Sequence, residues 1–175
     1  MTSSQAIVLI GMPGAGKTTV GAALAQLMQW GFVDVDDVVA AEVGDIPTYI
    51  ETHGIDAFRA QESAALDVVT GAIREGAAPA AVVAVGGGAI LAQENRIVLA
   101  ATGPVVWLHA SIETLLDHVG DGSGRPLLVD GAEAALRRLL DERGALYAQT
   151  ATVAVAVDGR DPNVIAVAIV KALAS

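Results

Sequence analysis

Short apolar runs alternate along the chain with segments whose apolar residues recur every three or four positions. The runs predict β-strands at residues 6–10, 32–35, 81–85, 105–109 and 153–157. Helical spacing is clearest over 17–28, where Val20, Leu24, Leu27 and Met28 fall on one side, and over 58–73, which carries Ala65, Leu66, Val69 and Ile73. Two further helices are predicted at 132–145 and 163–173, the last one following Pro162, a residue suited to a helix start. Strands that alternate with helices give an α/β fold with a parallel sheet, and five strands are expected in it.

Composition refines that picture. The 175 residues are 53% hydrophobic but only 3% aromatic, so the core must be built from Ala, Val, Leu and Ile. This suits a parallel sheet buried beneath helices. The chain has no Cys, which removes disulfides, thiolate metal sites and a thiol nucleophile, and fits a cytoplasmic setting. Met1-Thr2-Ser3-Ser4-Gln5 lacks the basic start of a signal peptide. The uncharged stretch 76–93 holds Pro79 and three successive glycines, and reads as loop, buried strand and turn, not as a membrane span. A net charge of −10 argues against nucleic acid as a partner. With only ten Lys and Arg, any anion must be bound by basic residues placed locally.

The first strand breaks directly into Gly11-Met12-Pro13-Gly14-Ala15-Gly16-Lys17-Thr18-Thr19, which meets the spacing G-x-x-x-x-G-K-T between a strand and a helix. Backbone N–H groups in such a loop cradle phosphate oxygens, and the helix adds its positive end. Gly14, Ala15, Gly16, Lys17, Thr18 and Thr19 are therefore the candidate nucleotide contacts. Lys17 would reach the β- and γ-phosphates, and the Thr18 hydroxyl would sit on Mg²⁺.

Asp34-Val35-Asp36-Asp37 closes the second strand, where ligands gather in open α/β sheets. At i and i+2 of a strand Asp34 and Asp36 would share a face, one serving the Mg²⁺ shell and the other an attacking hydroxyl. Asp36 or Asp37, with Asp37 preferred, could also cap a helix over Val38-Val39-Ala40-Ala41. Gly86-Gly87-Gly88 follows the third strand where many nucleotide hydrolases carry an acid; bare backbone there can approach a small ligand and donate N–H groups. Arg59 has Glu62 three residues on to orient it. Arg125 follows the flexible Asp121-Gly122-Ser123-Gly124, Arg143 precedes Leu146-Tyr147, and Arg160 precedes Pro162. Each could serve a phosphate or carboxylate. Arg143 could instead complement a helix C-terminus, and Arg74, Arg96, Arg137, Arg138 and Lys171 read as surface residues. Trp30 and Trp107 read as packing residues.

Taken in order, the phosphate loop, Asp34-x-Asp36, Phe58-Arg59 with Glu62, Gly86–Gly88, Arg125-Pro126-Leu127-Leu128, Arg143-x-x-Leu146-Tyr147 and Arg160 resemble the shikimate kinase family over nearly the whole chain. The resemblance implies one P-loop kinase domain over 1–175 with a five-stranded parallel sheet and a mobile lid at about 119–131. It implies transfer of the ATP γ-phosphoryl group to the 3-hydroxyl of shikimate, with Mg²⁺, by a monomer that binds neither nucleic acid nor membrane. Lys17 and Arg125 would stabilise the transferring phosphate, and Thr18 would ligate Mg²⁺ with Asp34 in its outer shell. Asp36 would hold the acceptor hydroxyl and could take its proton. Arg59, Arg143 and the backbone of Gly86, Gly87 and Gly88 would bind shikimate, and Arg160 would lie near the adenine. His118 stands where the family often has an arginine packed on the adenine, and is expected at the surface. A gluconate kinase, a nucleotide kinase and a non-catalytic nucleotide-binding module are the competing readings; no Asn-Lys-x-Asp motif supports a GTPase.

Overall fold

The computed structural model describes residues 6–119 and 131–175. Arg125 and nearly all of the lid expected at 119–131 lie outside the described residues. The element order is β1 (Ala6–Ile10), α1 (Lys17–Met28), β2 (Gly31–Asp34), α2 (Val35–Val43), α3 (Ile46–His53), α4 (Ile55–Arg74), β3 (Ala81–Ala84), a 3₁₀ turn (Ala89–Leu91), α5 (Gln93–Thr102), β4 (Val105–His109), α6 (Ile112–Val119), α7 (Ala132–Thr150), β5 (Val153–Ala156) and α8 (Pro162–Leu173).

The five strands form one parallel sheet in the order β2-β3-β1-β4-β5. Val8 is paired with Val83 on one side and with Val105 on the other, so β1 is central and all five of its residues are buried. A continuous apolar run is what a strand covered on both faces requires. Helix α1 packs on α8, β2 and β3, while α5 packs on β1 and α7 on β4. The chain leaves β1 toward β2 and β3 and later crosses β1 to build β4 and β5. That reversal opens a crevice beyond the carboxyl end of β1, where the phosphate loop emerges.

The parallel sheet follows the hydrophobic pattern, with strand ends differing by at most one residue. The second strand stops at Asp34 and not at residue 35, because the Asp34 carboxylate accepts the N–H of Asp36 at 3.1 Å and starts α2. Asp34 is therefore the cap, in place of the expected Asp37, and Asp36 lies in the first turn of a helix and not on the strand face. Helix α2 includes the helical stretch 38–41 offered as an alternative in the sequence, whereas α3, α5 and α6 were not predicted as elements. Helix α3 is only eight residues long and none of them is fully buried; Ile46, Tyr49 and Ile50 form a short apolar stripe that packs on the core while half exposed. Helix α7 continues five residues beyond 145, carrying Gly144 in its interior. Arg143 is thus well inside α7, which rules out the helix-end role considered for it. No described helix is long and apolar enough to cross a membrane.

Candidate active site

A cleft of about 820 Å³ lies beyond the carboxyl ends of the strands. Gly14, Ala15, Gly16, Lys17, Thr18 and Thr19 line it together with Asp34, Asp36, Arg59, Gly86, Gly87, Gly88, Arg143 and Arg160. Every predicted site residue in the described chain thus converges on one cavity, although six separate segments supply them.

The phosphate loop forms the floor between β1 and α1. Gly16 caps α1 in the left-handed region at φ 81°, a conformation that favours glycine. The Lys17 ammonium donates to the carbonyls of Gly11 at 2.9 Å and Met12 at 3.0 Å, which folds the loop around its own cation. Thr18 donates its hydroxyl to Asp34 Oδ2 at 2.7 Å, while Asp34 Oδ1 caps α2. One carboxylate therefore ties the nucleotide side of the cleft to the helix that carries Asp36. His118, exposed as expected, also pairs its Nδ1 with the Gly14 carbonyl at 2.8 Å and lines the cleft. Arg160 is exposed at the rim and donates to the Ala156 carbonyl at 2.8 Å.

The opposite wall concentrates buried charge. Arg59 pairs with Glu62 at 2.7 Å across one helical turn, as the sequence spacing suggested, and Glu62 is almost wholly buried. Glu62 Oε1, Asp36 Oδ1 and Arg143 Nη1 are all buried without a hydrogen-bond partner among the described residues. Such atoms are costly unless a ligand or water meets them. Burial pushes the Asp36 carboxyl up to about 6, with Asp34 and Glu62 adding to the rise and Lys17 and Arg59 opposing it. A group of that basicity is mostly ionised at neutral pH yet still able to accept a proton.

The glycine triplet lies between these charges. A Cβ on Gly86 would collide with Glu62 Oε1 and come within 2.8 Å of Asp36 Oδ1, and one on Gly88 would fall on the Arg59 guanidinium. Gly87 is bounded by Pro13, the Gly11 carbonyl and the Tyr147 hydroxyl, at 3.1, 3.3 and 3.4 Å from the same position. Close approach is therefore the reason for glycine at all three positions. Sequence reasoning placed Tyr147 in a motif but gave it no function, although its spacing four residues after Arg143 puts both on one face of α7. The apolar side of the cleft, formed by Ile46, Pro47, Ile50, Ile55 and Phe58, was also missed as a site feature, because α3 was not recognised as a helix.

A family model described as shikimate kinase matches residues 13–174 of this chain. The chain belongs to the shikimate kinase family. The shikimate kinase of Halorhodospira halophila is 41% identical over 169 residues, spanning 95% of this chain and 92% of that one. A solved shikimate kinase from Acinetobacter baumannii, in complex with shikimate, superposes with a TM-score of 0.91 at 35% identity, covering 99% of this chain and 94% of that one. A gluconokinase from Sinorhizobium meliloti reaches a TM-score of 0.61 at 21% identity, covering 97% of this chain and 91% of that one, a likeness of fold alone. Membership of the shikimate kinase family favours that reading over the gluconate alternative, and it identifies the chain as an ATP-dependent kinase acting on an alcohol.

The raised Asp36 carboxyl makes a stability prediction. Between its ordinary value of 3.8 and about 6 the folded protein holds a proton that the unfolded chain releases, so this group lowers stability as pH rises through that window. Asp36→Asn is expected to stabilise the ligand-free protein by about 1–3 kcal/mol at pH 7.5, with the gain fading toward pH 4. Urea unfolding of both proteins at the two pH values checks this, and an equal difference at both would disprove it.

Proposed function

We propose that this chain transfers the γ-phosphoryl group of ATP to the 3-hydroxyl of shikimate. The observation that carries the reading is a pair of buried atoms without a hydrogen-bond partner among the described residues, both in groups that line one cleft. One is Nη1 of the Arg143 guanidinium, whose Nε pairs with Glu142 at 3.4 Å and which suits a carboxylate; the other is Oδ1 of the Asp36 carboxylate, which suits a hydroxyl. A ligand with both groups on one small ring satisfies both, and the phosphate loop lies alongside.

In this reading Arg59 and Arg143 bind the shikimate carboxylate, helped by the backbone of Gly86, Gly87 and Gly88. Asp36 Oδ1 accepts the 3-hydroxyl hydrogen and aims the oxygen at the γ-phosphorus. The new O–P bond forms as the bond from the γ-phosphorus to the bridging oxygen breaks. ADP leaves, and the hydroxyl proton passes to Asp36 and then to solvent. Charge on the equatorial phosphate oxygens is stabilised by Lys17 and by the N–H groups of residues 14–19, with Arg125 as a second cation. Thr18 and Asp34 offer hard oxygen donors of the kind Mg²⁺ accepts, Thr18 toward the ion and Asp34 behind it. That ion would neutralise phosphate charge. Arg160 lies beside the adenine. The whole of 1–175 acts as one kinase domain with a lid near 119–131, working as a cytoplasmic monomer.

ADP release in Mg²⁺-ATP, with shikimate, gluconate or no acceptor, tests the reaction. Turnover with shikimate alone is expected; ATP binding without use of either acceptor would favour a non-catalytic module. Asp36→Asn is expected to lower kcat about 10²–10⁴-fold while ATP still binds, and unchanged turnover would remove Asp36 from the chemistry. Loss of a charged contact in Arg143→Ala is expected to raise the KM for shikimate about 10–100-fold with little change in the KM for ATP.

A further inference from the structure

The segment after β3 has an unusual polarity. Its six successive carbonyls from Gly86 to Leu91 all accept hydrogen bonds from within the protein. Gly86 accepts the N–H of Ala89 at 3.0 Å, and Gly88 accepts that of Leu91 at 3.0 Å. The buried Asn95 donates to Ala89 at 2.9 Å. Arg96, expected at the surface, instead donates to Ile90 at 2.7 Å and Leu91 at 3.0 Å. The Gly87 carbonyl accepts the Tyr147 hydroxyl.

The Gly87 bond differs from the rest because of where its donor lies. Tyr147 is fully buried on α7, stacked on Trp107, and does not line the cleft, whereas Gly87 and Gly88 do. The described chain has no cis peptide, and in a trans peptide the C=O of one residue and the N–H of the next point in opposite directions. A Gly87 carbonyl held toward Tyr147 therefore turns the Gly88 N–H away from Tyr147, and Gly88 itself lines the cleft against the Arg59 guanidinium. A peptide between two glycines is the kind that can rotate most cheaply. Rotation would present an oxygen, in place of a donor, to an anionic ligand. Burial pushes the Tyr147 phenol up to about 12, so it remains a donor across the working range of pH.

We propose that Tyr147 is a positioning residue for the acceptor. Its hydroxyl locks the Gly87–Gly88 peptide with the N–H facing the cleft, and this sets the preference for an acceptor that carries a carboxylate. The inference rests on the proposed reaction, and deepens it by assigning part of the acceptor selectivity to a residue that never touches the acceptor.

The test compares wild type, Tyr147→Phe and Trp107→Phe with two acceptors, shikimate and its uncharged methyl ester. Tyr147→Phe is expected to raise the KM for shikimate about tenfold, the value of one hydrogen bond. The KM for ATP should stay within about twofold, and the KM for the ester should move less than that for shikimate. Trp107→Phe disturbs the same ring packing but keeps the hydroxyl, and should leave the ratio of the two acceptor KM values near that of wild type. The Tyr147 hydroxyl also interacts with Arg143, so a crystal structure of Tyr147→Phe accompanies the kinetics. An unchanged shikimate KM, equal rises for shikimate, ester and ATP, or a Gly87–Gly88 peptide that keeps its orientation while Arg143 moves would overturn the positioning role alone. A wild type inactive on shikimate would overturn the proposed reaction and this inference with it. Should Tyr147→Phe not fold, a crystal structure of the wild type with shikimate decides: a Gly88 N–H bonded to the carboxylate supports the role, and a Gly87 carbonyl turned to the ligand rejects it.

Discussion

Buried charge that the protein satisfies only in part is the constraint that organises this structure. Asp36, Glu62 and Arg143 each keep one buried polar atom without a hydrogen bond among the described residues. Each such atom costs on the order of 1–3 kcal/mol, and more where the group is ionised. The aliphatic core around β1 must offset that cost, and the fully buried central strand with its helical cover is the means. Lys17 and Arg59 moderate the acidic wall, and Glu62 in turn holds Arg59 in place. The unpaired groups are tolerated where a ligand would complete them, which makes instability and recognition two aspects of one arrangement.

The overall negative charge belongs to the same arrangement. Ten basic residues are present in the whole sequence, and Lys17, Arg59, Arg143 and Arg160 all line the cleft. Other basic residues serve local structure, as Arg137 does in its exposed pair with Glu133. Exposed pairs of that kind contribute little. The four cations of the cleft stand against Asp34, Asp36 and Glu62 in the same lining, so the cleft balances its charge locally on a globally acidic molecule.

The sheet was legible in the sequence because buried parallel strands read as short, unbroken apolar runs. The phosphate loop was legible because its spacing is tied to one backbone shape. The start of α2 was not, since the choice of Asp34, Asp36 or Asp37 as cap depends on where β2 stops, and β2 stops through the cap itself. Helix α3 was hidden because eight residues give it only a short stripe, Ile46, Tyr49 and Ile50, that is half buried. The roles of Arg96 and Tyr147 were hidden for a different reason. Both act on backbone carbonyls, Arg96 on the turn just before its own helix and Tyr147 on a segment distant in the chain, and a carbonyl leaves no mark in sequence patterning. Glu62 was legible only as a neighbour of Arg59; its crowding against Gly86 belongs to the folded chain.

The crowding of the glycine triplet also bears on how this cleft could evolve. Any side chain at Gly86 or Gly88 would displace a charged group, and one at Gly87 would press on Pro13 and Gly11 of the phosphate loop. Reshaping the triplet would therefore move the charges that face the acceptor as well as the space it occupies. The side formed by Ile46, Pro47 and Ile50 of α3 is only partly buried, and its side chains meet the cleft without touching those charges. A change of acceptor shape is thus absorbed with less electrostatic disturbance on the α3 side than at the glycines.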